Sequence, residues 1–466
     1  MAYSREDNKK KSYISSNVFR DMDEDIIIPK YKLSKDPVDA RKAYEILRDE
    51  LLDEGNSRLN LATFCQTGME EEAKNIIKDT LDKNAIDKSE YPRTAEMEKR
   101  CVSIIADLWN APKEESYIGT STIGSSEACM LAGLAMKFRW REWAKSKNIS
   151  AYERKPNIII SSGFQVCWEK FATYWDIELR VIPMEENYLA LNPERLKESL
   201  DDYTIGVVAI LGITYTGKYD NVQEIDRVIG VYNREHNTQI AIHVDGASGG
   251  FYAPFISPEL VWDFRLKSVI SINASGHKYG LVYPGIGWLV FRDSHYLPKE
   301  LVFNVSYLGG DVPTMSINFS KSASQLIGQY YNFVRLGFNG YYNIHKRTKA
   351  VAKYISDFIE SVKIFDLVCA GEDLPVICYS LKKEIQVDWT LYELSDSLLM
   401  HGWQVPTYPL PIDMEDKIVQ RIVCRSDLSM DLGEIFVEDM KQSIQDLNES
   451  EIIVKRKREG VRGFTH

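Results

Sequence analysis

Apolar, β-branched runs alternate with amphipathic stretches through the middle of the chain. The runs read as buried strands, and they fall at 157–161, 179–182, 205–213, 240–244, 268–272 and 286–291. Helical periodicity separates most of them, at 165–175, 193–200 and 222–234. Continuous apolar strands that alternate with helices are typical of a mostly parallel sheet covered on both faces. The pattern therefore predicts an α/β fold.

The pattern changes on both sides of this region. Residues 1–59 are polar and irregular as far as Pro37, and helical periodicity then runs over 37–54, which predicts an N-terminal arm. After a large α/β domain at 60–345, the remainder predicts a small C-terminal α+β domain at 346–466. Its predicted elements are a long helix at 345–362, strands at 376–381 and 418–424, helices at 391–401 and 432–447, and a basic tail at about 454–466.

Composition narrows the class of protein. The net charge of −11 disfavours a nucleic-acid partner. No run approaches the roughly 18 apolar residues that span a bilayer, and residues 1–16 have no apolar core of a secretory signal. The seven cysteines form no CxxC pair, which favours a reducing compartment. We therefore expect a cytoplasmic protein with no transmembrane segment.

Two charged residues follow neighbouring predicted strands. Lys278 lies in the segment Ser-Gly-His-Lys after one strand, and Asp245 ends the strand before it. In parallel sheets ligands bind beyond the carboxyl ends of the strands, where a desolvated lysine can form a Schiff base. A carboxylate that protonates a pyridine nitrogen and a lysine that holds an aldehyde are what pyridoxal phosphate requires. The pair therefore indicates such a site.

A run of small residues precedes the strongest helical stretch, 127–145. Its serines, Ser125 and Ser126, and its glycines would allow a phosphate to approach the free N–H groups of a helix N-terminus. The alternative is a simple helix cap, with Ser126 capping and Glu127 in the first turn. Both interpretations remain open on this segment alone.

Taken together, ordered motifs from residue 60 to 431 resemble the glutamate decarboxylases, which are pyridoxal-phosphate-dependent decarboxylases of fold type I and group II. The resemblance implies a transferase-like, mostly parallel seven-stranded sheet flanked by helices, with a small C-terminal domain and an N-terminal arm. The matching motifs are Asn-Leu-Ala-Thr-Phe (60–64), Ile-Asp-Lys-Ser-Glu-Tyr-Pro (86–92), Gly-Ser-Ser-Glu-Ala (124–128), Gln-Val-Cys-Trp-Glu-Lys (165–170), Gly-Ile-Thr-Tyr-Thr-Gly (212–217), Asp-Gly-Ala (245–247), Ser-Gly-His-Lys (275–278), Tyr-Leu-Gly-Gly (307–310) and Gln-Arg-Ile-Val-Cys-Arg (420–425).

The resemblance implies roles for residues in these motifs. Lys278 would hold pyridoxal 5'-phosphate covalently, and Asp245 would pair with the pyridine nitrogen. Ala247 and Gln165 would lie against the two ring faces; related aromatic and histidine decarboxylases usually have a histidine in place of this glutamine. The phosphate and the 3′-oxygen would be held by Ser125, Ser126, Thr214, Ser275, His277 and, from a neighbouring subunit, Ser320.

The resemblance also implies the substrate contacts. Arg421 would clamp one carboxylate of L-glutamate, and the other would be received by Thr63, the backbone N–H of Phe64 and Asp87 of the partner subunit. A carboxylate at Asp87 would repel the substrate unless protonated, which predicts activity favouring mildly acidic pH. The catalytic set is Lys278, Asp245, His277 and Tyr307; the sequence leaves open which of Lys278, His277 and Tyr307 returns a proton to Cα.

The expected reaction consumes a proton and yields 4-aminobutanoate and CO₂, which suits acid resistance. The alternatives are another decarboxylase of the group, acting on aspartate or an aromatic amino acid, and a catalytically silent scaffold. Contacts across subunits imply at least a homodimer, and assembly to a hexamer stays open. His466 could gate the site by titrating, or it could belong to a solvated basic tail.

Overall fold

The computed structural model describes residues 12–15, 26–150, 153–305 and 312–449. Two sequence predictions, for Tyr307 and for the tail that ends at His466, lie outside these residues. The chain forms two compact units, residues 1–56 and 57–466. Within the first unit, β1 (Ser12–Ser15) pairs antiparallel with β2 (Ile26–Pro29), and α1 (Ala40–Glu50) occupies the centre of the helix predicted at 37–54.

The second unit begins with an alternation of helices and strands. Its elements as far as the end of the long sheet are α2 (Glu71–Lys78), α3 (Pro92–Leu108), β3 (Ile118–Thr122), α4 (Ser125–Ser146), β4 (Asn157–Ser161), α5 (Cys167–Tyr174), β5 (Glu178–Ile182), α6 (Pro193–Ser199), β6 (Thr204–Ile210), α7 (Val222–His236), β7 (Ile242–Asp245), α8 (Ala253–Ile256), β8 (Val269–Ser275) and β9 (Gly287–Phe291).

The strands β3 to β9 form one seven-stranded sheet in the order β3-β9-β8-β7-β6-β4-β5. The pairs among β8, β7, β6, β4 and β5 are parallel, and β9 pairs antiparallel with both β8 and β3. The predicted mostly parallel α/β sheet is confirmed. Strand β3 was not predicted because its residues form no apolar run. Gly119 suits this strand because an added Cβ would lie 2.7 Å from the carbonyl oxygen of Leu289 on β9.

Alternating residues of the central strands pack on opposite faces of the sheet. On one face, Ile158 and Val208 lie in a core cluster with Trp168 of α5 and the buried side of α4. On the other, Ile159 and Val207 belong to a cluster that includes residues of α3, α6 and α7. Because both faces are covered, the strands are apolar along their whole length, and a polar side chain within them stands out.

The C-terminal part contains a second sheet. After the hairpin β10 (Phe303–Val305) and β11 (Val312–Thr314) come α9 (Ser324–Ser361), β12 (Phe365–Ala370), β13 (Val376–Leu381), α10 (Leu391–Met400), β14 (Thr407–Pro409), β15 (Ile418–Val423) and α11 (Met430–Glu449). The strands β12-β13-β15-β14 form an antiparallel sheet. Its core cluster includes residues of α9, α10 and α11, which confirms the small α+β region.

The long helix α9 begins about twenty residues before the start predicted from the sequence. Gly337, with φ of 55°, interrupts its helical backbone and separates the two apolar periodicities. The predicted domain boundary between 345 and 346 lies within this helix and stays a prediction. Among the described residues, no helix is long and apolar enough to cross a membrane.

Candidate active site

A cavity of about 490 Å³ lies at the carboxyl ends of the central strands. It is where the topology of a parallel sheet places a ligand. The strands β6, β7 and β8 end here, at Ile210, Asp245 and Ser275. Nine residues that the sequence predicted as cofactor contacts line it together: Ser125, Ser126, Gln165, Thr214, Asp245, Ala247, Ser275, His277 and Lys278.

Lys278 lies in the turn that follows β8. Its Nζ donates to the Oγ of Ser248 at 3.1 Å and lies 5.1 Å from the centre of the Phe64 ring. Burial lowers the pKa of this amine, and the nearby Asp245 carboxylate opposes that effect. A lowered pKa increases the share of the neutral, nucleophilic amine. Sequence reasoning did not identify Ser248, whose position after a glycine-alanine pair gave no chemical signal.

Asp245 is the last residue of β7 and points into the cavity. Its Oδ2 accepts a hydrogen bond from the indole Nε1 of Trp168 at 2.9 Å, and its Oδ1 accepts one from the N–H of Ala247 at 3.1 Å. Trp168 is fully buried on α5. It lies inside the motif at 165–170, which was recognised without a role for the tryptophan. Only the fold reveals that its N–H holds the carboxylate.

The part of the cavity at the start of α4 suits an anion. Helix α4, 22 residues long, begins there with Gly124 in the cap position and with no side chain capping it. Ser126 is therefore not the cap, and the cap-only interpretation is wrong. The Oγ atoms of Ser125 and Ser275 lie 2.7 Å apart, so two hydroxyls converge beside the free N–H groups. Free N–H groups at a helix N-terminus and hydroxyls are suitable partners for a phosphate.

Glu127 fixes the loops around this end. One of its oxygens accepts from the N–H of Ile123 at 2.9 Å, and the other accepts from the N–H groups of Ile317 and Asn318 at 2.9 and 3.2 Å. The carboxylate is buried, so these bonds tie two loops that line the cavity to the start of α4. Glu127 is in the first turn of α4, as the sequence predicted, and from there it holds the anion-binding loops.

His277 is the neighbour of the lysine and is neutral at ordinary pH. Burial and the adjacent Lys278 lower its pKa to about 4. Its Nδ1 lies 3.0 Å from the carbonyl oxygen of Ile286. A carbonyl can only accept, so the single proton of the neutral ring is on Nδ1. The other nitrogen, Nε2, is then an acceptor.

Arg421, on β15 of the second sheet, is buried near Phe64. Its Nη1 and Nη2 donate to the backbone carbonyls of Thr214 and Ala62, and its carbon Cζ lies 5.0 Å from the centre of the Phe64 ring. No described polar atom lies within hydrogen-bond distance of its Nε. Two of its five N–H donors are therefore engaged by backbone carbonyls, and its clamping role stays a prediction.

Thr63 belongs to a loop that Arg425 holds. The guanidinium of Arg425 is nearly fully buried and donates to the carbonyls of Asn60 and Thr63 at 2.7 and 3.0 Å. The Oγ1 of Thr63 accepts from the N–H of Cys65 at 3.1 Å. The Nε of Arg425 also lies 3.4 Å from the Oδ1 of Asp427. Arg425 was recognised within its motif without a role, because a buried arginine that holds a distant loop has no sequence signature.

Asp87 and Ser320 do not line the cavity. The Oδ1 of Asp87 accepts from the N–H of Glu90 at 3.1 Å and so stabilises a local turn. Ser320 is exposed, two residues after Asn318, which does line the cavity. Both were predicted to act across a subunit interface, and that role stays a prediction.

The residues present fit pyridoxal phosphate. The cavity is lined by the start of α4, which suits an anion, by a carboxylate at β7 that suits the ring nitrogen, and by a lysine with a lowered pKa. Few other ligands require all three groups in one space of about 490 Å³. On a mostly parallel sheet, these features define the site of a pyridoxal-phosphate-dependent enzyme.

Comparison with known proteins narrows this class. Residues 29–382 match the conserved domain of pyridoxal-dependent decarboxylases, and the chain belongs to that family. Its cofactor is pyridoxal phosphate, bound through a lysine in this family. Over the full length of both chains it is 56% identical to a probable glutamate decarboxylase gamma of Listeria monocytogenes and 55% identical to the glutamate decarboxylase of Lactococcus lactis subsp. cremoris.

Solved structures agree with this assignment. The glutamate decarboxylase of Lactobacillus brevis superposes with a TM-score of 0.90 at 61% identity, covering 91% of this chain and 97% of the other. The tryptophan decarboxylase of Catharanthus roseus superposes with a TM-score of 0.76 at 18% identity, covering 90% of this chain and 91% of the other. The second likeness concerns the fold alone. The predicted fold class and family are thus confirmed.

Proposed function

We propose that the chain catalyses the decarboxylation of L-glutamate to 4-aminobutanoate and CO₂ with pyridoxal phosphate. The observation that carries the proposal is that one ring, Phe64, contacts both Lys278 and Arg421, at 5.1 and 5.0 Å. A reactive amine and a carboxylate-binding cation therefore lie near the same side chain beside the cofactor cavity. The names of the relatives that are 55–57% identical over the full length support glutamate as the substrate.

Lys278 and Asp245 divide the chemical work. Pyridoxal phosphate, when bound, supplies an electron sink for the charge left at Cα as CO₂ departs. Lys278 would attach the cofactor, because its burial favours the neutral amine. Asp245 would face the ring nitrogen, in an orientation fixed by the donors from Trp168 and Ala247 on its two oxygens.

Only some of the predicted donors can return a proton to Cα. Neutral His277 keeps its proton on Nδ1, directed at the carbonyl of Ile286, so its Nε2 has none to give. This favours Lys278 or Tyr307 as the donor. The role of His277 would then be to line the cavity and accept a hydrogen bond from the cofactor or substrate.

Substrate orientation would come from Arg421, with Thr63 and the N–H of Phe64 at the far carboxylate. Holding the scissile bond in one orientation selects which bond breaks. Asp87 and Ser320 would complete the site from a partner subunit, because neither lines the cavity of its own chain. We therefore infer at least a homodimer.

The biological setting follows from the chemistry. Each turnover consumes one proton, so we propose that the enzyme supports acid resistance. We also propose a cytoplasmic location, because all seven cysteines are free thiols and glutamate is a metabolite of that compartment.

The experiment that tests the function compares substrates. Release of CO₂ and of the amine product is measured at mildly acidic pH with added pyridoxal phosphate, using L-glutamate, L-aspartate and L-tyrosine in parallel. We expect turnover of glutamate alone. Turnover of another amino acid with glutamate inert would overturn the substrate assignment but not the cofactor site. Bound cofactor without turnover of any of them would favour a silent scaffold.

A further inference from the structure

Polar side chains form a row on one face of two central, otherwise apolar strands. His243 and Asp245 alternate along β7, and Ser271 and Asn273 alternate along β8. The parallel register pairs His243 with Ser271 and Asp245 with Asn273. Because side chains at positions i and i+2 share a face, all four lie together on the side covered by α4 and α5. All four are buried, so each polar atom needs a partner.

The four side chains form a hydrogen-bonded chain that ends on the carboxylate. Ser271 Oγ lies 2.8 Å from His243 Nδ1, and His243 Nε2 lies 2.8 Å from Asn273 Oδ1. The amide Nδ2 of Asn273 then donates to Asp245 Oδ1 at 3.3 Å. His243 also packs against the ring of Trp168, which donates to the other oxygen of Asp245.

The direction of every bond in this chain follows from the carboxylate. An ionised Asp245 only accepts, so the amide of Asn273 must present its NH₂ to it and its oxygen to His243. Burial lowers the pKa of His243 to about 4, and a neutral ring has one proton. That proton must be on Nε2, and Nδ1 accepts from Ser271. The dipoles therefore align, each with its positive end towards Asp245.

The carboxylate retains one weakly held position. Oδ1 accepts from the N–H of Ala247 and from Asn273, and Oδ2 accepts from Trp168. The fourth donor is the thiol of Cys129, 3.6 Å from Oδ2 and equally 3.6 Å from Asn273 Oδ1. A thiol is a weak donor, and this one has a second acceptor available. The thiol does not line the cavity, whereas Asp245 does, so an N–H group in the cavity would add the second strong donor that Oδ2 lacks.

We propose that Ser271, His243 and Asn273 act as positioning residues that hold Asp245 as an oriented anion for the ring nitrogen of the cofactor. The inference rests on the proposed placement of the cofactor between Asp245 and Lys278, but not on the identity of the substrate. The inference depends most on His243, because its ring fixes the amide of Asn273 in the orientation that donates to the carboxylate. None of the three needs to touch the cofactor.

The test measures cofactor affinity rather than turnover. Apoenzyme is titrated with pyridoxal phosphate and with its 1-deaza analogue, in which a C–H replaces the ring nitrogen, and each dissociation constant is obtained by equilibrium dialysis. We expect the wild type to bind pyridoxal phosphate at least about 10-fold more tightly, because only the nitrogen forms a charge-assisted hydrogen bond with Asp245. Equal affinities would refute the placement of the nitrogen at Asp245, and with it that part of the proposed function.

Variants at Asn273 and His243 then test the hydrogen-bonded chain that ends on Asp245. Asn273→Leu should weaken binding of pyridoxal phosphate about 10-fold and binding of the analogue less than about 3-fold. His243→Phe, which keeps a ring beside Trp168, should show the same selectivity with a smaller loss. His243→Gln can present an N–H near the position of Nε2 and should restore most of the affinity. Should Asn273→Leu not fold, the two His243 variants carry the comparison.

A purely structural role gives a different pattern. If the Leu and Phe variants weaken both ligands equally, or weaken neither while the wild type still discriminates, the chain does not act through the ring nitrogen and the inference is wrong. Thermal unfolding of each apoprotein provides the stability change separately. A selective loss in His243→Phe that His243→Gln does not reverse would also contradict the proposed directionality.

Discussion

The cofactor end and the substrate end of this site are built in different ways. At the cofactor end, Asp245 and Lys278 follow adjacent strands of one sheet, and their polar partners come from the same chain. At the proposed substrate end, Arg421 lies on β15 of the second sheet, and two of its N–H groups donate to backbone carbonyls. Asp87 does not line the cavity at all.

The difference lies in which elements position the side chains of each half of the site. Parallel strands bring their carboxyl ends to one edge, so a residue that ends a strand is positioned by the main core. The proposed substrate end depends instead on the loop around Thr63, which Arg425 holds. A residue of a second subunit is expected at each end, Asp87 at the substrate end and Ser320 at the cofactor end. We infer that cofactor binding and substrate binding can be damaged separately, and the following predictions test that separation.

The largest effect is expected at Lys278. Lys278→Ala removes the amine that attaches the cofactor, so turnover should fall by at least about 10⁴-fold, and the visible absorbance of covalently bound cofactor should be lost. The matched control is Lys321→Ala. Lys321 is also half-buried and has a pKa lowered by desolvation, but its Nζ donates to the backbone carbonyl of Ser121, which does not line the cavity.

The control distinguishes attachment from burial. Lys321→Ala should keep the absorbance of the attached cofactor even if it is less stable. An enzyme that lacks Lys278 and still shows that absorbance would mean that another amine carries the cofactor, and the assignment of the cofactor end would fail.

The sequence predicted the cofactor end well because local patterns encode it. Asp245 and Lys278 follow apolar runs that ended close to the true strands, and the helix after Ser125 and Ser126 is strong. The same patterns could not reveal Trp168, since nothing in a helix of eight residues shows that its indole N–H reaches a strand end 77 residues away. That contact exists only after α5 packs on the sheet.

The sequence predicted less of the rest for physical reasons. Strand β3 pairs through backbone contacts that Gly119 permits, without an apolar run. Helix α9 contains Gly337 at positive φ, which divides its periodicity. The engagement of Arg421 by two carbonyls depends on where β15 lies relative to the loops at Ala62 and Thr214. Such long-range contacts leave no periodic signal.

The next largest effect is expected at Arg421. Arg421→Lys should lower kcat/KM for L-glutamate by about 10²-fold, because one ammonium cannot replace a planar guanidinium that already bridges two carbonyls. The dissociation constant of pyridoxal phosphate should change less than about 3-fold. Steady-state kinetics and cofactor titration of the same preparation check both values. An equal loss in both would show that the two ends are not separable.

Acid should destabilise the apoprotein through its buried histidines. One of them, His345, lies away from the cavity, and burial lowers its pKa to about 3. His243 and His277 have pKa values lowered to about 4 by burial, whereas an unfolded histidine titrates near 6.5. Between these values the unfolded chain binds more protons, so the free energy of unfolding falls as pH drops from about 6.5 to 4. Asp220, with a pKa raised to about 6 by burial, acts in the opposite direction and offsets part of the loss.

Urea unfolding of the apoprotein at pH 7 and pH 4.5 measures this loss. We expect a decrease of a few kcal/mol in the wild type and a smaller decrease in His277→Asn, which lacks one of the titrating groups. Since His277 lines the cavity, its share should be below that of the fully buried His243. The same decrease in both proteins would show that His277 does not titrate in this range.

The smallest effects are expected from removing one hydroxyl at each end. Ser248→Ala removes the acceptor of the Lys278 amine, 3.1 Å away. The centre of the Tyr408 ring lies 5.7 Å from the Cζ of Arg421, and its hydroxyl donates to the carbonyl of Tyr215 at 2.8 Å. Tyr408→Phe removes this hydroxyl and keeps the ring. A neutral hydrogen bond contributes about 1 kcal/mol, so each change should alter one constant by about 5-fold.

The two variants should affect different constants. Ser248→Ala should raise the dissociation constant of the cofactor and leave KM for glutamate unchanged, and Tyr408→Phe should do the reverse. If the two effects are exchanged or shared, the division of the site into two ends is wrong, because these hydroxyls are the least disruptive probes of each.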